Sequence, residues 1–146
     1  MTYRGSIPAE PDFTQEEWRK IEKGMEQQVF LLSNVLRNRF NLTNLNWNQE
    51  VSEVAFNHSK DMNNNNYFSH FSQNGDGLKE RLTDSGLFYV AAGENIAAQY
   101  ADAAAVVEGW LNSEEHRDAL LTKEYTHLGV GVYRFYYTQN FLAKPM

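Results

Sequence analysis

Apolar residues recur every three or four positions along much of the chain, which predicts five helices. The first follows Thr14–Glu17, a capping-box sequence in which a threonine precedes a glutamate by three positions. A second helix should cover Val51–Met62, and shorter ones Lys79–Ser85 and Ala103–Asn112, with a fifth after residue 113. The predicted apolar face of the first helix comprises Trp18, Ile21, Met25, Val29, Leu32, Leu36 and Phe40.

Three other segments have the composition of buried strands: Leu87–Ala92, Leu128–Tyr133 and Phe135–Leu142. Only Arg134 separates the last two, and no Gly, Asn or Asp is present to form a tight hairpin turn. Either the turn is unusual or residues are absent from the sequence. Strands interspersed with helices predict a mixed α/β (α+β) domain, with a small, mainly antiparallel three-stranded sheet covered by helices.

Length and charge narrow the classes of function. The 146 residues suit one domain. A net charge of -6 argues against a nucleic-acid-binding groove and against electrostatic binding to anionic lipid. There is no apolar run long enough for a transmembrane helix, and there is no cysteine. Residues 1–13 contain Pro8 and Pro11 and lack the features of a signal peptide. We therefore expect a linker at 1–13 and a single domain at 14–146, cut from a longer secreted or anchored protein.

One carboxylate stands out because its neighbours are apolar. Glu94 follows Gly93, at which the chain is expected to turn, and lies between two apolar runs. A carboxylate is rarely buried without a partner, so Glu94 needs a cation, a histidine or several donors. His58 lies beside the apolar face of the second helix, and we expect a packed, hydrogen-bonded histidine there rather than a ligand.

Six segments in a fixed order carry a resemblance to a known family. They are Asn34-Val35-Leu36-Arg37, Leu45-Asn46-Trp47 with Ala55–Met62, Phe68-Ser69-His70, Gly93-Glu94-Asn95-Ile96-Ala97, Trp110–Arg117 and His127-Leu128-Gly129-Val130-Gly131-Val132. From about Phe30 to Phe141 the chain resembles the CAP superfamily (cysteine-rich secretory protein, antigen 5, pathogenesis-related 1), or SCP domain, in a bacterial, cysteine-free form. The resemblance implies an α-β-α sandwich.

The resemblance also implies a cleft with two histidines and two acidic residues. Carried over to this chain, the histidines are His70 and His116 and the first acid is Glu94. The second acidic position is occupied by Ser113; Glu114 is adjacent and could substitute, but one residue along a helix turns a side chain by about 100°. The predicted ligand cleft thus comprises His70, Glu94, Asn95, Ser113, Glu114 and His116.

Two chemistries remain open for this cleft. His70 and His116 could bind Zn²⁺ or another divalent cation, with an open coordination position. Alternatively, Glu94 could hydrogen-bond one histidine and fix its tautomer. No organic cofactor is expected.

Three functions follow from these alternatives. The resemblance favours a secreted or cell-surface binding module for a divalent cation, a small polar or lipid ligand or a cell-envelope component, without established catalysis. The second is a metal-assisted hydrolase of peptide or cell-wall material, with Glu94 as general base. The third is a structural or interaction domain with a non-functional cleft. We expect an extracellular or cell-envelope location, and the oligomeric state stays open.

Overall fold

The computed structural model describes residues 12–145. The linker predicted at 1–13 therefore lies, apart from its last two residues, outside the described residues. The elements in chain order are α1 (Gln15–Arg39), β1 (Asn46–Trp47), α2 (Gln49–Asn64), α3 (Leu78–Asp84), β2 (Ala91–Ala98), α4 (Ala103–Leu111), α5 (Glu114–Leu120), β3 (His127–Tyr133) and β4 (Tyr136–Ala143). The predicted mixed α/β class and its helices are confirmed.

The sheet among these residues has four strands in the order β1-β3-β4-β2, not the predicted three. The additional strand, β1, runs parallel to β3 through only two residues, Asn46 and Trp47. A strand this short has no alternation from which it could be predicted. The remaining pairs, β2–β4 and β3–β4, are antiparallel as expected, and β2 lies at one edge.

Helices cover both faces of the sheet. On one face α2 packs so closely on β3 that a Cβ at Gly129 would lie 2.2 Å from the backbone nitrogen of Ser52, and one at Gly131 would lie 2.0 Å from that of Phe56. On the other face, Val130 and Val132 join a core with residues of α1 and α4. The α-β-α sandwich is therefore built on two glycines that let a helix approach the strand.

The Gly-Glu-Asn segment does not turn, contrary to the sequence prediction. β2 runs through it without interruption, and the predicted strand over Leu87–Ala92 begins only at Ala91. Gly93 is required for space instead, because a Cβ there would lie 2.2 Å from the hydroxyl oxygen of Tyr125.

The sequence left open whether the hairpin between β3 and β4 has an unusual turn or lacks residues, and the structure shows an unusual turn. Arg134 and Phe135 both have left-handed backbones, with φ of 48° and 63°, although neither is glycine. A carboxylate oxygen of Glu22 on α1 accepts the backbone N–H of Arg134 at 2.8 Å. The Arg134 guanidinium lies 4.4 Å from the ring centre of Trp18, which also meets Phe135 edge-on. Contacts with α1 thus hold the strained turn.

The buried face of α1 is more polar than predicted. Ile21 is 41% exposed and Phe40 53% exposed, so both predicted positions were wrong. Polar side chains fill the stripe instead: Glu22, Glu26, Ser33, Asn34 and Arg37. Glu26, for example, accepts the backbone N–H of Val132 at 3.0 Å. Helical periodicity identified the helix correctly but could not show which carboxylates find buried donors.

Replacing Gly131 with alanine tests the close approach of α2 to β3. We expect Gly131→Ala to lower the free energy of unfolding by about 3 kcal/mol or to prevent folding, because the Cβ would meet helix backbone rather than a flexible side chain. Gly24→Ala is the matched control. Nothing lies within 4 Å of that Cβ, so this change should raise stability by about 0.5–1 kcal/mol. Urea unfolding measures both, and equal effects would contradict the packing.

The buried glutamates of α1 predict how stability depends on pH. Burial raises the pKa of Glu26 above its ordinary value of 4.5, despite Arg19 and the Val132 N–H. The folded state then binds more protons than the unfolded state, so stability falls as pH rises above 4.5 through the raised pKa. Glu26→Gln should flatten this fall in urea unfolding between about pH 4 and pH 8. Exposed Glu16→Gln, on the same helix, should leave it unchanged; a parallel fall in both variants would contradict the assignment.

Candidate functional site

Glu94 carries the only carboxylate of β2, and the strand points it toward the face covered by α2 and α3. Its side chain is 3% exposed. Oε1 lies 2.8 Å from Nδ1 of His70, and Nη2 of Arg81 donates to both oxygens at 3.1 and 3.0 Å. The buried carboxylate therefore has a histidine and a cation as partners, which is what its apolar surroundings require.

Arg81 also positions the histidine. Its Nη2 group donates to the backbone oxygen of His70 at 2.9 Å, so α3 fastens the loop between α2 and α3 to β2. Because a carboxylate only accepts, the bond to Glu94 places a hydrogen on Nδ1 of His70. In a neutral ring the lone pair then lies on Nε2. This is the second of the two chemistries that the sequence left open.

His70 and Glu94 lie on the wall of a cavity of about 430 Å³. The wall combines apolar surface with groups of either charge, and its residues are His70, Phe71, Gly77, Leu78, Lys79, Glu80, Ala92 and Glu94. Phe71 is 61% exposed at this wall. A cavity of this size and mixed lining suits a small ligand with a polar and an apolar side.

Behind the pair lies His58 of α2, which is buried as predicted. Its Nε2 lies 2.9 Å from the backbone oxygen of Ser69, an acceptor, so Nε2 carries the hydrogen. Burial lowers the pKa of His58, and the nearby Arg81 acts in the same direction while Glu94 opposes it. His58 is therefore a neutral packed histidine that supports the loop before His70.

The structure does not place the other predicted cleft residues on this wall. Asn95 points to the opposite face of β2, where Nδ2 donates to the backbone oxygen of His116 at 3.1 Å and to Gln139 at 3.0 Å. His116 itself is 1% exposed on α5. Ser113 is half-buried at the N-cap of α5, and Glu114 is exposed to solvent. The side chain of Asn95 thus joins β2 to α5.

Arg81 was not predicted as a site residue. The sequence indicated that Glu94 needs a cation, a histidine or several donors, and α3 carries this arginine beside its inward-facing Leu78 and Leu82. An arginine next to a buried helix stripe, in a chain with an unpaired buried carboxylate, is a signal that could have identified it.

The residues present do not fit a metal site with three protein ligands. Between residues 12 and 145, no group of three or more His, Cys, Asp and Glu side chains is placed to hold a metal ion. Both oxygens of Glu94 already accept from Arg81, whose charge disfavours a second cation nearby. Zinc or another divalent cation on His70 and His116 stays a prediction, and no chemistry described below depends on it.

The sandwich with a polar cleft at the edge strand defines a class of domain, and comparison with known proteins identifies it. The family model of the cysteine-rich secretory protein family, CAP, matches residues 31–143. The chain belongs to the CAP family. It contains no cysteine, so the bonds among cysteines that the family name suggests have no counterpart here.

Three bacterial proteins resemble this chain, and two of them are longer than it. The uncharacterized membrane protein YlbC of Bacillus subtilis is 51% identical over 144 residues, which are 99% of this chain and 42% of YlbC. An extracellular protein with an SCP domain from Bacillus anthracis is 49% identical, with a TM-score of 0.89 over 92% of this chain and 45% of that one. An outer surface protein of Borrelia burgdorferi shares the fold at 20% identity, with a TM-score of 0.74 over 91% of this chain and 97% of that chain. The chain spans less than half of the first two.

No helix described between residues 12 and 145 is both long enough and apolar enough to cross a bilayer.

The Arg81–Glu94 pair predicts a measurable energetic coupling. Arg81→Ala should lower the free energy of unfolding by about 3 kcal/mol, because it leaves a buried carboxylate without its cation. Glu94→Gln in the same molecule should recover at least about 1 kcal/mol of this loss. Arg39→Ala, at the exposed end of α1, is the control and should change stability by less than about 0.5 kcal/mol. Additive effects in the double variant would show that the pair is not coupled.

Proposed function

We propose that this CAP domain is a binding module that works outside the cell or at the cell envelope and holds a small polar ligand in the cleft beside His70 and Glu94. The observation that carries the proposal is the engagement of Glu94 by Arg81 and His70 at the cavity wall. This arrangement orients groups for recognition before a ligand arrives, which reduces the cost of ordering them on binding.

The same arrangement argues against Glu94 as the general base of a hydrolase. A general base must accept a proton from water or substrate, and both oxygens of Glu94 already accept from Arg81. The metal that would activate a water in that mechanism also lacks a three-ligand site among residues 12–145. Binding without turnover is therefore the function that we propose.

A hydrolase remains the second candidate, on one specific observation. The contact from Nδ1 of His70 to Glu94 is the one that orients a catalytic histidine, with Nε2 as the base. In that case His70, not Glu94, would take the proton. Turnover of a peptide or cell-wall substrate that is lost in His70→Ala would favour this candidate.

The lining suggests the chemistry of the ligand. Lys79 offers hydrogen-bond donors to an acidic or hydroxyl group, and Nε2 of a neutral His70 can accept from a hydroxyl or an amide N–H. Phe71, Leu78 and Ala92 offer apolar contact. Fragments of bacterial cell wall combine these properties. The proposed location rests on relatives whose descriptions place them outside the cell or at its outer surface.

Ligand titration tests the proposal. Muramyl dipeptide, N-acetylglucosamine and acetate are added separately to ¹⁵N-labelled protein, and amide shifts are followed. We expect at least one of them to shift Phe71, Leu78 and Ala92, and His70→Ala to weaken that binding about fivefold to tenfold, because a hydrogen bond between the ligand and His70 is lost.

His127→Ala is the matched control, since this histidine lies on β3 and its Nδ1 meets Thr126 outside the cavity. Zinc alone, titrated in parallel by calorimetry, separates a metal site from a polar-ligand site. Absence of shifts with all three compounds, or equal binding by His70→Ala and the parent protein, would contradict the proposal.

A further inference from the structure

The edge strand β2 has hydrogen-bonding groups that point away from the sheet. The backbone N–H of Gln99 donates to the backbone oxygen of Phe135 at 2.8 Å. In the register of β2 with β4, the backbone groups of every second β2 residue therefore point toward β4, and those of the residues between them point outward. The N–H and C=O groups of Ala92, Glu94 and Ile96 are the outward ones. The bond from Nε1 of Trp110 to the backbone oxygen of Ile96, at 3.2 Å, agrees with this direction.

Several outward groups elsewhere in the sheet have partners. On β3, the N–H of Val132 donates to Glu26 at 3.0 Å, and the oxygen of Val130 accepts from Ser52 at 2.6 Å. On β2, Trp110 covers Ile96. Within residues 12–145, however, no hydrogen bond reaches the outward N–H and C=O groups of Ala92 and Glu94. This short piece of edge is left unpaired among the described residues.

The unpaired groups open into the cavity. Ala92 and Glu94 both line it. Glu94 as a whole residue is partly exposed although its side chain is only 3% exposed, so the accessible part is its main chain. The adjoining Ala91 and Gly93 are small and cannot obstruct an approaching chain, and this stretch has no lysine or proline of the kind that protects exposed edges.

We propose that an extended peptide of no net charge docks in this cleft by adding a strand to the edge at Ala92 and Glu94. The inference rests on the proposed function and names the class of its ligand. Two N–H and two C=O groups, repeated about every 6.7 Å along the edge, match the spacing of an extended main chain. A sugar or a lipid tail does not offer donors and acceptors in that repeat.

Side chains of the added strand would alternate, as in any sheet. Those on the α3 side of the strand meet the cavity wall formed by Phe71 and Leu78, which suits an apolar residue. The charges of Lys79 and Glu80 offset one another there, and Glu94 is neutralised by Arg81. Because the charges at the cavity wall balance one another, we expect the docked peptide to carry no net charge.

Hydrogen exchange with a designed peptide tests the inference. The probe is acetyl-Thr-Val-Thr-Val-Thr-amide, whose residues favour extended structure. At millimolar peptide, we expect exchange of the Ala92 and Glu94 amides to slow at least tenfold. The amides of Gly93 and Asn95, which face β4, should not change.

Peptides methylated on nitrogen supply the sharper control. In an added strand only every second peptide N–H faces β2, so methylation of one alternate set should abolish protection and methylation of the other should leave it. On the protein side, Ala92→Pro removes an outward N–H without removing a bond to β4, and should lose binding that Ala92→Ser retains.

The outcomes separate this inference from the proposed function. No slowing of exchange at Ala92 and Glu94, or an equal effect of both methylated sets, would overturn strand addition. If muramyl dipeptide, N-acetylglucosamine or acetate still binds in a manner that depends on His70, only the strand-addition inference fails. If neither the peptide nor any of those compounds binds, the proposed function fails with it.

Discussion

Burial of the Glu94 carboxylate is the constraint on which the cleft depends. A carboxylate with a 3% exposed side chain must replace its lost water with donors, and the cost of failing to do so is several kcal/mol. Its donors come from two separate pieces of chain, the loop that carries His70 and the helix that carries Arg81. Both pieces are thereby drawn onto β2. The cavity lies beside these pieces, and the small Gly77 and Ala92 form part of its wall.

The same constraint is met differently at the other edge of the sheet. There α1 supplies Glu22 and Glu26, which accept backbone N–H groups of Arg134 and Val132. Those carboxylates cover the edge of β3 and hold a hairpin turn that non-glycine residues adopt at a cost. Glu22 and Glu26 thus accept backbone N–H groups at one edge of the sheet. At the other edge, the side chain of Glu94 points toward Arg81 and His70, and the backbone of Glu94 is exposed to solvent. The two edges therefore differ in how their outward backbone groups are covered.

The helices could be predicted from the sequence because helix capping and the spacing of apolar residues are local features. The Thr14–Glu17 box and the Asp102 cap are both present in the structure. Features that depend on contacts between distant residues could not be predicted in this way. Gly93 suggested a turn, but its function is to avoid Tyr125, more than 30 residues away. Likewise, β1 is held by pairing with β3 rather than by any pattern of its own.

The same distinction between local and distant contacts applies to the residues of the candidate site. His70 and Glu94 were recognised from motifs, since family resemblance preserves residue types in order. Arg81 was not, because its role depends on α3 folding back onto β2. Conversely, Asn95 belongs to the same Gly-Glu-Asn motif as Glu94, yet its side chain points to the opposite face of β2, where it contacts Gln139. Adjacency along a strand reverses the face of the side chain, so it cannot by itself assign a residue to a cleft.

This alternation also gives β2 two separable surfaces at one position. The side chain of Glu94 reaches inward to Arg81 and His70, while its N–H and C=O face outward along the edge. A substitution such as Glu94→Gln changes the first surface and leaves the backbone of the second in place. Recognition through the side chains and recognition through the main chain can therefore be distinguished at a single residue, because the two surfaces of β2 adjoin the same cavity.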